Sequence, residues 1–530
     1  MDAVKQQLLN GETSLGVEFG STRIKAVLLA DSGALIAAGN FDWENDLVDG
    51  VWTYPMEKVV LGLQTAYAAL KAQVVSEYGV TLAKIGSVGI SAMMHGYLPF
   101  DKNDRLLTPF RTWRNTITAA AAQKLTEELH FNIPQRWSIA HLEQAIMNGE
   151  PHVKDIAFLT TLSGYIHYLL TGRRVLGVGD ASGMFPIDSE TNDYCEEMVQ
   201  KYDSLHRNDG FPWKLRDILP QVLVAGEPAG ELTAAGARLL DPAGDLLPGA
   251  PCCPPEGDAG TGMTATNSIL PKTGNVSAGT SVFAMLVLEK ALGDVYTEID
   301  MVTTPDGKPV AMVHCNNCTS DIDAYVKLFA GTLDAFGCSV KKGAIYDMLY
   351  HKALCADKDA GGVVTYNLFS GEPVLELEEG RPMLVRTPKA AFTLENLCRS
   401  LVYSSFAALK VGMDILTEKE HVSIEKLLGH GGLFKTEGVA QSLMASALNV
   451  PVAVMASAAE GGAWGIAILA QYLRKKAPRE TLPAYLENRV FKDAEVRVKQ
   501  PDAADRAGFD AYLEKYRLGL KAAAAANQIV

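Results

Sequence analysis

The stretch that decides the fold lies near the start of the chain. It reads LGVEFG at residues 15–20, STR at 21–23 and IKAVLL at 24–29. Two runs of β-forming residues flank a Gly-Ser-Thr turn, and a second turn, DSG at 31–33, leads into a third run at 34–38. Runs of this kind, separated by short turns, predict an antiparallel meander of three strands.

The same pattern returns in the second half of the chain. GNVSA at 274–278 and VFAMLV at 282–287 flank a GTS turn at 279–281. The two copies lie much further apart than the units of a solenoid, so the repeat indicates a duplicated domain. We therefore predict an N-terminal domain at 12–265, a C-terminal domain at 266–500 and a helical tail at 501–530.

Strand-like and helix-like segments alternate along the rest of the chain. Apolar patterning predicts a strand at 85–91 and helices at 118–129, 156–170 and 394–416. Interleaved strands and helices are typical of the α/β class. The sequence therefore predicts an α/β fold built from two similar halves.

The composition argues against a nucleic-acid partner and against a membrane protein. The 530 residues carry a formal net charge of −14, so no excess of Lys and Arg is available to bind nucleic acid. The most apolar long stretch, 452–473, is interrupted by Glu460 and by glycines, which argues against a membrane span. The first residues show no apolar signal region, and the expected location is the cytoplasm.

The cysteines do not indicate a disulfide framework, because eight in a chain of this length are too sparse. The segment CNNC at 315–318 has a zinc or redox spacing. The sequence has no second C-x-x-C and no H-x-x-H to complete a zinc site, so reduced thiols at a strand end are the simpler interpretation.

The two Gly-hydroxyl turns are the first candidates for chemistry. They comprise Gly20, Ser21, Thr22 and Arg23 in the first half, and Gly279, Thr280 and Ser281 in the second. Glycine lets backbone approach an anion closely, and N–H groups with hydroxyls can surround phosphate oxygens. One such turn is ordinary hairpin chemistry. Two in matching contexts favour a phosphate site, and we expect them to face each other across a cleft.

A third glycine-rich element, LLGHGGLFKT, spans 427–436. It follows a strand-like run and precedes a helix-like run, and it contains Gly431, Gly432 and Lys435. A glycine-rich turn between strand and helix can form the floor beneath the sugar and base of a nucleotide. A plain tight turn is the alternative.

A carboxylate, Asp258, follows the sequence PPEG at 254–257. One interpretation is that it caps the helix that follows. The other is that it accepts a proton from an attacking hydroxyl, since phosphoryl transfer requires positioned phosphates, Mg²⁺ and one base.

Residues suited to binding a small ligand cluster after the strand predicted at 85–91. They are Met94 and His95, followed downstream by Trp113 and Asn115. An aromatic face can cover the C–H groups of a polyhydroxy ligand while polar groups fix its hydroxyls. The cluster is thus a candidate site for a small sugar.

Taken together, these elements resemble the FGGY carbohydrate kinases over residues 15–473. The resemblance rests on short motifs in a set order, namely GVEFGST at 16–22, LTG at 170–172, ASG at 181–183, GD at 257–258, NVSAGTS at 275–281, FSGE at 369–372, GHGGLFK at 429–435 and the segment at 460–467 that resembles the family's closing helix.

The resemblance implies two ribonuclease H-like domains of the actin and hexokinase type around a central cleft. It implies ATP and Mg²⁺ as cofactors, Asp258 as catalytic base and sugar contact, and Glu18 with Asp258 at the metal. Xylulokinases in this family carry a similar Met-His-Gly, so Met94-His95-Gly96 points to a ketopentose, with xylulose first and ribulose next.

The chain departs from the family pattern at four places. Glu18 replaces the Asp of the first motif, Asn115 replaces an Asp after the sugar-site Trp, GVG at 177–179 replaces Asp-x-Ser, and Pro373 replaces an Arg. These departures keep other ketoses and polyols open as substrates. Glu18 leaves open a non-catalytic sugar or nucleotide sensor, although Asp258 and both Gly-hydroxyl turns argue against it. An ATPase resembling actin is a third alternative, against which Met94, His95 and Trp113 argue. The oligomeric state is open as well, with a homodimer as one alternative.

Overall fold

A computed structural model describes residues 2–455 and 461–528. The described residues form two compact units. The first lies within Met1–Ile269, Met301–Val310 and Ala459–Asp493, and the second within Leu270–Asp300, Ala311–Ala458 and Ala494–Val530. Each unit is thus discontinuous in sequence, whereas the ranges predicted from sequence were continuous. Among the described residues, no helix has both the length and the apolar character needed to cross a membrane.

The first unit is built on a five-stranded sheet. Its strands, in spatial order, are Glu256–Gly257, Ser87–Ala92, Ser14–Phe19, Arg23–Leu29 and Leu35–Asp42. The predicted meander is confirmed, because Ser14–Phe19 pairs antiparallel with Arg23–Leu29, which in turn pairs antiparallel with Leu35–Asp42. The predicted strand at 85–91 also forms, and it lies parallel to the first strand.

Helices cover this sheet and extend the unit. They are Asp2–Asn10, Met56–Tyr78, Ala119–Leu129, Ser138–Met147, Leu162–Thr171, Val178–Ala181, Glu196–Leu205, Leu215–Ile218, Ala234–Leu240, Asp258–Ala265, Gly462–Lys475 and Leu482–Tyr485. Short strand pairs add Asp46–Val48 with Val51–Thr53, Leu98–Phe100 with Phe158–Thr160, Val175–Gly177 with Gln221–Leu223, and Ile187–Asp188 with Asp193–Tyr194.

The prediction of a single helix at 156–170 is wrong. Phe158–Thr160 is a strand, and Leu162–Thr171 is a helix. The strand pairs antiparallel with Leu98–Phe100, and the hydroxyl of Thr161 then accepts a hydrogen bond from the Gly164 N–H. A side-chain cap of this kind starts a helix, so Thr161 divides the two elements.

The second unit contains a seven-stranded sheet, except for Met301–Thr303 and Pro309–Val310 of its first two strands, which are assigned to the first unit. In order, the strands of the sheet are Ile299–Thr303, Pro309–Cys315, Val282–Val287, Thr273–Ala278, Lys426–His430, Val452–Met455 and Val496–Lys499. Its helices are Ser320–Ala335, Lys342–Leu354, Leu394–Asp414, Val439–Leu448 and Ala503–Ala526, and Val363–Tyr366 pairs with Met383–Arg386. The last helix buries Phe509, Tyr512 and Tyr516.

The two sheets share one local topology. In the first, Ser14–Phe19 pairs antiparallel with the next strand and parallel with Ser87–Ala92. In the second, Thr273–Ala278 pairs antiparallel with Val282–Val287 and parallel with Lys426–His430. The pattern that returns in the sequence therefore marks equivalent places in two similar α/β sheets.

One helix packs closely on the first strand. Gly16 lies beneath Gly462–Lys475, and a Cβ added at Gly16 would lie 2.2 Å from the carbonyl oxygen of Ala463 and 2.7 Å from the nitrogen of Ala467. Both neighbours are backbone atoms, which cannot move aside separately from the helix. Glycine at this position therefore sets the distance between helix and sheet.

We expect Gly16→Ala to destabilise the protein by about 1–3 kcal/mol, because overpacking a close contact forces backbone shifts. Scanning calorimetry should show a lower melting temperature. Gly331→Ala is the control, since Gly331 lies inside the helix Ser320–Ala335 with no atom within 4 Å of an added Cβ. It should be neutral or stabilising by about 0.5–1 kcal/mol. Equal melting temperatures for the two variants would contradict the packing argument.

Candidate active site

Asp258 lies where a short strand becomes a helix. The strand Glu256–Gly257 pairs with Ser91 and Ala92, and the helix Asp258–Ala265 begins directly after it. The Oδ1 atom of Asp258 accepts hydrogen bonds from the backbone N–H of Met94 at 3.2 Å and from that of Ala259 at 3.1 Å. The residue before the helix, Gly257, makes no side-chain cap. Asp258 thus binds the loop that follows Ser87–Ala92, through Met94, rather than acting as an ordinary helix cap.

The Asp258 side chain is open to solvent although protein surrounds it. Partial dehydration raises its pKa above the ordinary value, while the bonds from Met94 and Ala259 oppose the rise. A carboxylate that is exposed, held by two N–H groups and of raised basicity can accept a proton.

The loop that contains Met94 and His95 lies against this carboxylate. His95 has a left-handed backbone with φ of 69°. Its buried ring stacks on Trp137 with 6.4 Å between centroids, and its Nδ1 lies 3.2 Å from the carbonyl oxygen of Gly183. A Cβ on Gly183 would come within 2.6 Å of that Nδ1, so the glycine of the ASG motif is needed to seat the imidazole.

The contact with Gly183 also fixes the tautomer of His95. A carbonyl oxygen can only accept, so Nδ1 carries the hydrogen and Nε2 is left as an acceptor. Burial, and then the positive charge of Arg136, hold the pKa of His95 well below its usual value of 6.5. His95 is therefore a neutral imidazole that can accept a hydrogen bond from a hydroxyl.

Trp113 and Asn115 differ in exposure and in hydrogen bonding. Trp113 is 37% exposed. The amide of Asn115 is buried and pairs with the backbone of Trp52, accepting from its N–H and donating to its carbonyl oxygen, each at 2.8 Å. It also donates to the carbonyl oxygen of Thr112 at 3.0 Å. These bonds give Asn115 a structural role that competes with the predicted sugar contact.

Glu18 shares a face of the first strand with Gly16, as alternation along the strand predicts. Its Oε2 accepts a hydrogen bond from the Ala463 N–H at 3.0 Å, at the start of the helix Gly462–Lys475. Burial, and then the negative charge of Asp258, raise its pKa to about 7. The segment predicted to form the closing helix begins at Glu460, which lies outside the described residues.

The carboxyl groups of Glu18 and Asp258 are suited in their chemistry to a hydrated divalent cation. No cluster of three or more His, Cys, Asp and Glu side chains suited to a metal occurs among residues 2–455 and 461–528. However, Glu18 and Asp258 are close enough for the charge of one to affect the other, and Oε1 of Glu18 takes no part in the bond to Ala463. Mg²⁺ commonly takes one or two carboxylates and completes its shell with water and phosphate.

Two further carboxyl groups near Asp258 were missed by the sequence analysis. Asp180 is buried, and its Oδ2 accepts from the hydroxyls of Thr161, at 2.6 Å, and Ser163. Glu256 is buried and accepts from the backbone of Gly179 and Asp180. Burial raises the pKa of Asp180 to about 7 and that of Glu256 to about 8. The sequence did contain a signal for Glu256, because the glycines at 177 and 179, where the family has Asp-x-Ser, leave space for a side chain from another segment.

The first Gly-hydroxyl turn is fixed by its own hairpin and by aromatic side chains. Gly20 N–H donates to the carbonyl oxygen of Arg23 at 2.9 Å, and the Tyr54 hydroxyl donates to the carbonyl oxygen of Ser21 at 2.7 Å. Thr22 is exposed. The guanidinium of Arg23 pairs with Asp42 at 2.6 Å, so its predicted phosphate contact competes with an exposed ion pair.

The second turn, Gly279-Thr280-Ser281, is supported by a neighbouring loop of the same unit. Gly279 N–H donates to the carbonyl oxygen of Ser281 at 2.9 Å, and Cys318 N–H donates to that of Thr280 at 2.9 Å. Thr319 donates through both its N–H and its hydroxyl to the carbonyl oxygen of Gly279. Thr280 remains exposed, and Ser281 is half-buried. The segment CNNC thus supports this turn.

The third glycine-rich element lies beside the second turn. Gly431 has φ of 98°, and a Cβ there would lie 2.5 Å from the carbonyl oxygen of Ala278, one residue before Gly279. Gly432 and Lys435 are exposed. The second unit therefore brings together the predicted phosphate turn and the predicted floor for the adenosine.

Comparison with known proteins decides the family. The FGGY family of carbohydrate kinases matches this chain in two parts, its N-terminal domain over residues 13–241 and its C-terminal domain over residues 274–473. The chain belongs to the FGGY carbohydrate kinases. It is therefore an ATP-dependent sugar kinase with an α/β fold of two domains.

Individual FGGY relatives are distant in sequence. A xylulose kinase from Haemophilus influenzae is 24% identical over 409 residues, which cover 75% of this chain and 77% of the relative. A xylulose kinase structure from Lactobacillus acidophilus has a TM-score of 0.79 at 15% identity, covering 97% of this chain and 99% of that one. A gluconate kinase from the same organism gives 0.78 at 15% identity, covering 98% and 99%. At such identities the structures support the fold alone.

The buried carboxyl of Asp180 predicts a pH dependence of stability for this FGGY kinase. In the unfolded chain the group loses its proton near its ordinary value of 3.8, whereas in the folded protein it keeps the proton to about pH 7. The folded state then binds more protons, so the free energy of unfolding falls as pH rises through this window, by up to roughly 1.4 kcal/mol per pH unit.

Asp180→Asn should reduce that fall, since asparagine can still accept from Thr161 and Ser163 but does not ionise. Urea unfolding at pH 5, 6 and 7 measures the slope. Asp49→Asn, at an exposed position with φ of 49°, is the matched control and should keep the wild-type slope. An unchanged slope in Asp180→Asn would show that Asp180 ionises as readily in the folded as in the unfolded chain.

Proposed function

We propose that this FGGY kinase transfers the γ-phosphate of ATP to a hydroxyl of a ketopentose, with xylulose as the first candidate. One observation carries the proposal, namely the hydrogen bond from the Met94 N–H to the Asp258 carboxylate. It places a candidate base next to a loop whose His95 presents a neutral acceptor. The names of the distant relatives agree with this substrate class.

In this proposal Asp258 accepts the proton of the attacking hydroxyl. The hydroxyl oxygen forms a bond to the γ-phosphorus as the bond between that phosphorus and the β–γ bridging oxygen breaks, and ADP leaves with the electron pair. Nε2 of His95 accepts a hydrogen bond from a second hydroxyl and so orients the sugar. Because His95 stays neutral, its contact should not titrate near pH 6.5.

The nucleotide is bound by backbone-rich elements. In this proposal the turns Gly20–Thr22 and Gly279–Ser281 each bind phosphate oxygens of ATP. Gly431 and Gly432 contact the adenosine, with Lys435 nearby. Phosphoryl transfer depends on such positioning and charge compensation more than on covalent participation by the protein. Glu18 and Asp258 would hold Mg²⁺, which when bound neutralises charge on the transferred phosphoryl group.

The direct test of substrate is an assay of ADP release with MgATP and a panel of sugars. The panel should include xylulose, ribulose, other ketoses, aldoses and polyols. We expect the highest kcat/KM for a ketopentose. A preferred aldose or polyol would overturn the substrate assignment, and no ADP release with any sugar would favour the non-catalytic alternative.

Asp258→Asn should lower kcat by about 10²–10⁴-fold while KM for ATP changes little, because the amide keeps the shape of the carboxylate but cannot take a proton. ADP release and calorimetric ATP binding measure the two effects. Asp49→Asn is the control and should match the wild type. Near-normal turnover in Asp258→Asn would mean that another group is the base.

Glu18→Gln should weaken the dependence of turnover on Mg²⁺, since the amide is nearly isosteric but carries no charge. Glu18→Asp should keep or raise activity, because the shorter carboxylate can still bind a hydrated ion. The measurement is a Mg²⁺ titration of ADP release. If Glu18→Gln leaves the titration unchanged, Glu18 serves only the helix at Ala463 and the metal is held by Asp258 and the nucleotide.

A further inference from the structure

Glu256 is a buried carboxyl group that the proposed reaction does not use. It is 1% exposed and lies in the short strand directly before Gly257 and Asp258. Its Oε1 accepts from the Gly179 N–H at 3.3 Å, and its Oε2 accepts from the Asp180 N–H at 3.0 Å. Because these two bonds offset part of the cost of burial, they tie the Glu256 carboxyl group to the backbone of Gly179 and Asp180.

Two glycines make the space that Glu256 fills. A Cβ on Gly177 would lie 2.2 Å from Oε1 of Glu256, and a Cβ on Gly179 would lie 2.3 Å from its Oε2. Any other residue at either position would push the carboxyl group out. The segment at 177–179 is therefore shaped to hold the Glu256 side chain in one place.

The backbone around Glu256 is held on both sides. Gly177 N–H donates to the carbonyl oxygen of Pro255 at 2.7 Å, and the strand Glu256–Gly257 pairs with Ser91 and Ala92. Asp258 follows after one residue, and its carboxylate must meet the Met94 N–H at 3.2 Å. A shift of the chain at Glu256 is thus passed directly to Asp258.

We propose that Glu256 is a positioning residue, which fixes the chain between the 177–180 segment and Asp258 so that the Asp258 carboxylate lies against the loop that contains Met94 and His95. It acts through Asp258 and touches neither sugar nor nucleotide. The expected effect on turnover rests on the proposed function, in which Asp258 is the base. The expected effect on the position of the Asp258 carboxylate does not.

The geometric part is tested by hydrogen exchange at the Met94 amide, which needs no substrate. Glutamine at position 256 has nearly the same size as glutamate, but its NH₂ group cannot accept a hydrogen bond. One of the two backbone N–H groups, that of Gly179 or that of Asp180, therefore loses its acceptor. We expect exchange of the peptide containing Met94 to quicken at least about 10-fold, because the acceptor on Asp258 moves away. Unchanged exchange, in a variant with wild-type circular dichroism, would overturn the proposal.

A second variant moves the carboxyl group without changing it. Gly179→Ala places a methyl group within 2.3 Å of Oε2, so Glu256 must shift. It should quicken Met94 exchange in the same direction as Glu256→Gln. Gly343→Ala, which meets no atom within 4 Å, is the matched control and should leave exchange unchanged. Wild-type exchange in Gly179→Ala would also contradict the proposal.

A kinetic cycle separates positioning from general structural support. Glu256→Gln should lower kcat about 10- to 100-fold, since small misplacements of a reacting group cost up to about 10²-fold. The KM for ATP should not change. In an Asp258→Asn background the same change should cost little more, because Glu256 acts through the missing carboxylate. Additive losses would overturn the positioning role.

The outcomes of these experiments distinguish the two proposals. If Asp258→Asn alone keeps normal turnover, the base assignment fails, and Met94 exchange still decides whether Glu256 holds Asp258 in place. If Asp258→Asn is inactive but Glu256→Gln has wild-type kcat and exchange, the positioning role fails and the kinase mechanism stands.

Discussion

A single hydrogen bond between distant parts of the sequence organises the site. The Met94 N–H donates to Asp258, which lies 164 residues further along the chain. The bond is possible because the strands Ser87–Ala92 and Glu256–Gly257 are parallel neighbours that end at the same edge of the sheet. Parallel strands place their carboxyl ends side by side, so the loop after one and the helix start after the other meet there.

This arrangement concentrates acidic groups in a small volume. Glu18, Asp180 and Glu256 are each held by backbone or hydroxyl donors, and burial raises the pKa of each. Such groups lower the stability of the folded protein when they ionise, and they lie beside Asp258, the base in the proposed mechanism. Strained or unfavourable arrangements are typically found at functional sites for this reason.

The sequence predicted those features that depend on local patterning. Both hairpins, the strand at 85–91 and the glycine-rich turn at 427–436 form where alternation and turn residues placed them. The helix predicted at 156–170 failed because its first residues pair with the strand Leu98–Phe100, and pairing between distant segments leaves no local pattern. The FGGY family membership followed from the order of short motifs.

By itself, the sequence determined the fold class, the duplicated hairpins, the sugar kinase family and the identity of Asp258 as the residue to consider. The tertiary structure decided what surrounds them. In the folded protein Asn115 is hydrogen-bonded to the backbone of Trp52, and Glu18 accepts from the Ala463 N–H at the start of a helix. The side chain of Glu256 occupies the space beside Gly177. The physical reason is that hydrogen bonding and close packing depend on which distant segments meet, whereas strand alternation, turns and motifs are properties of neighbouring residues.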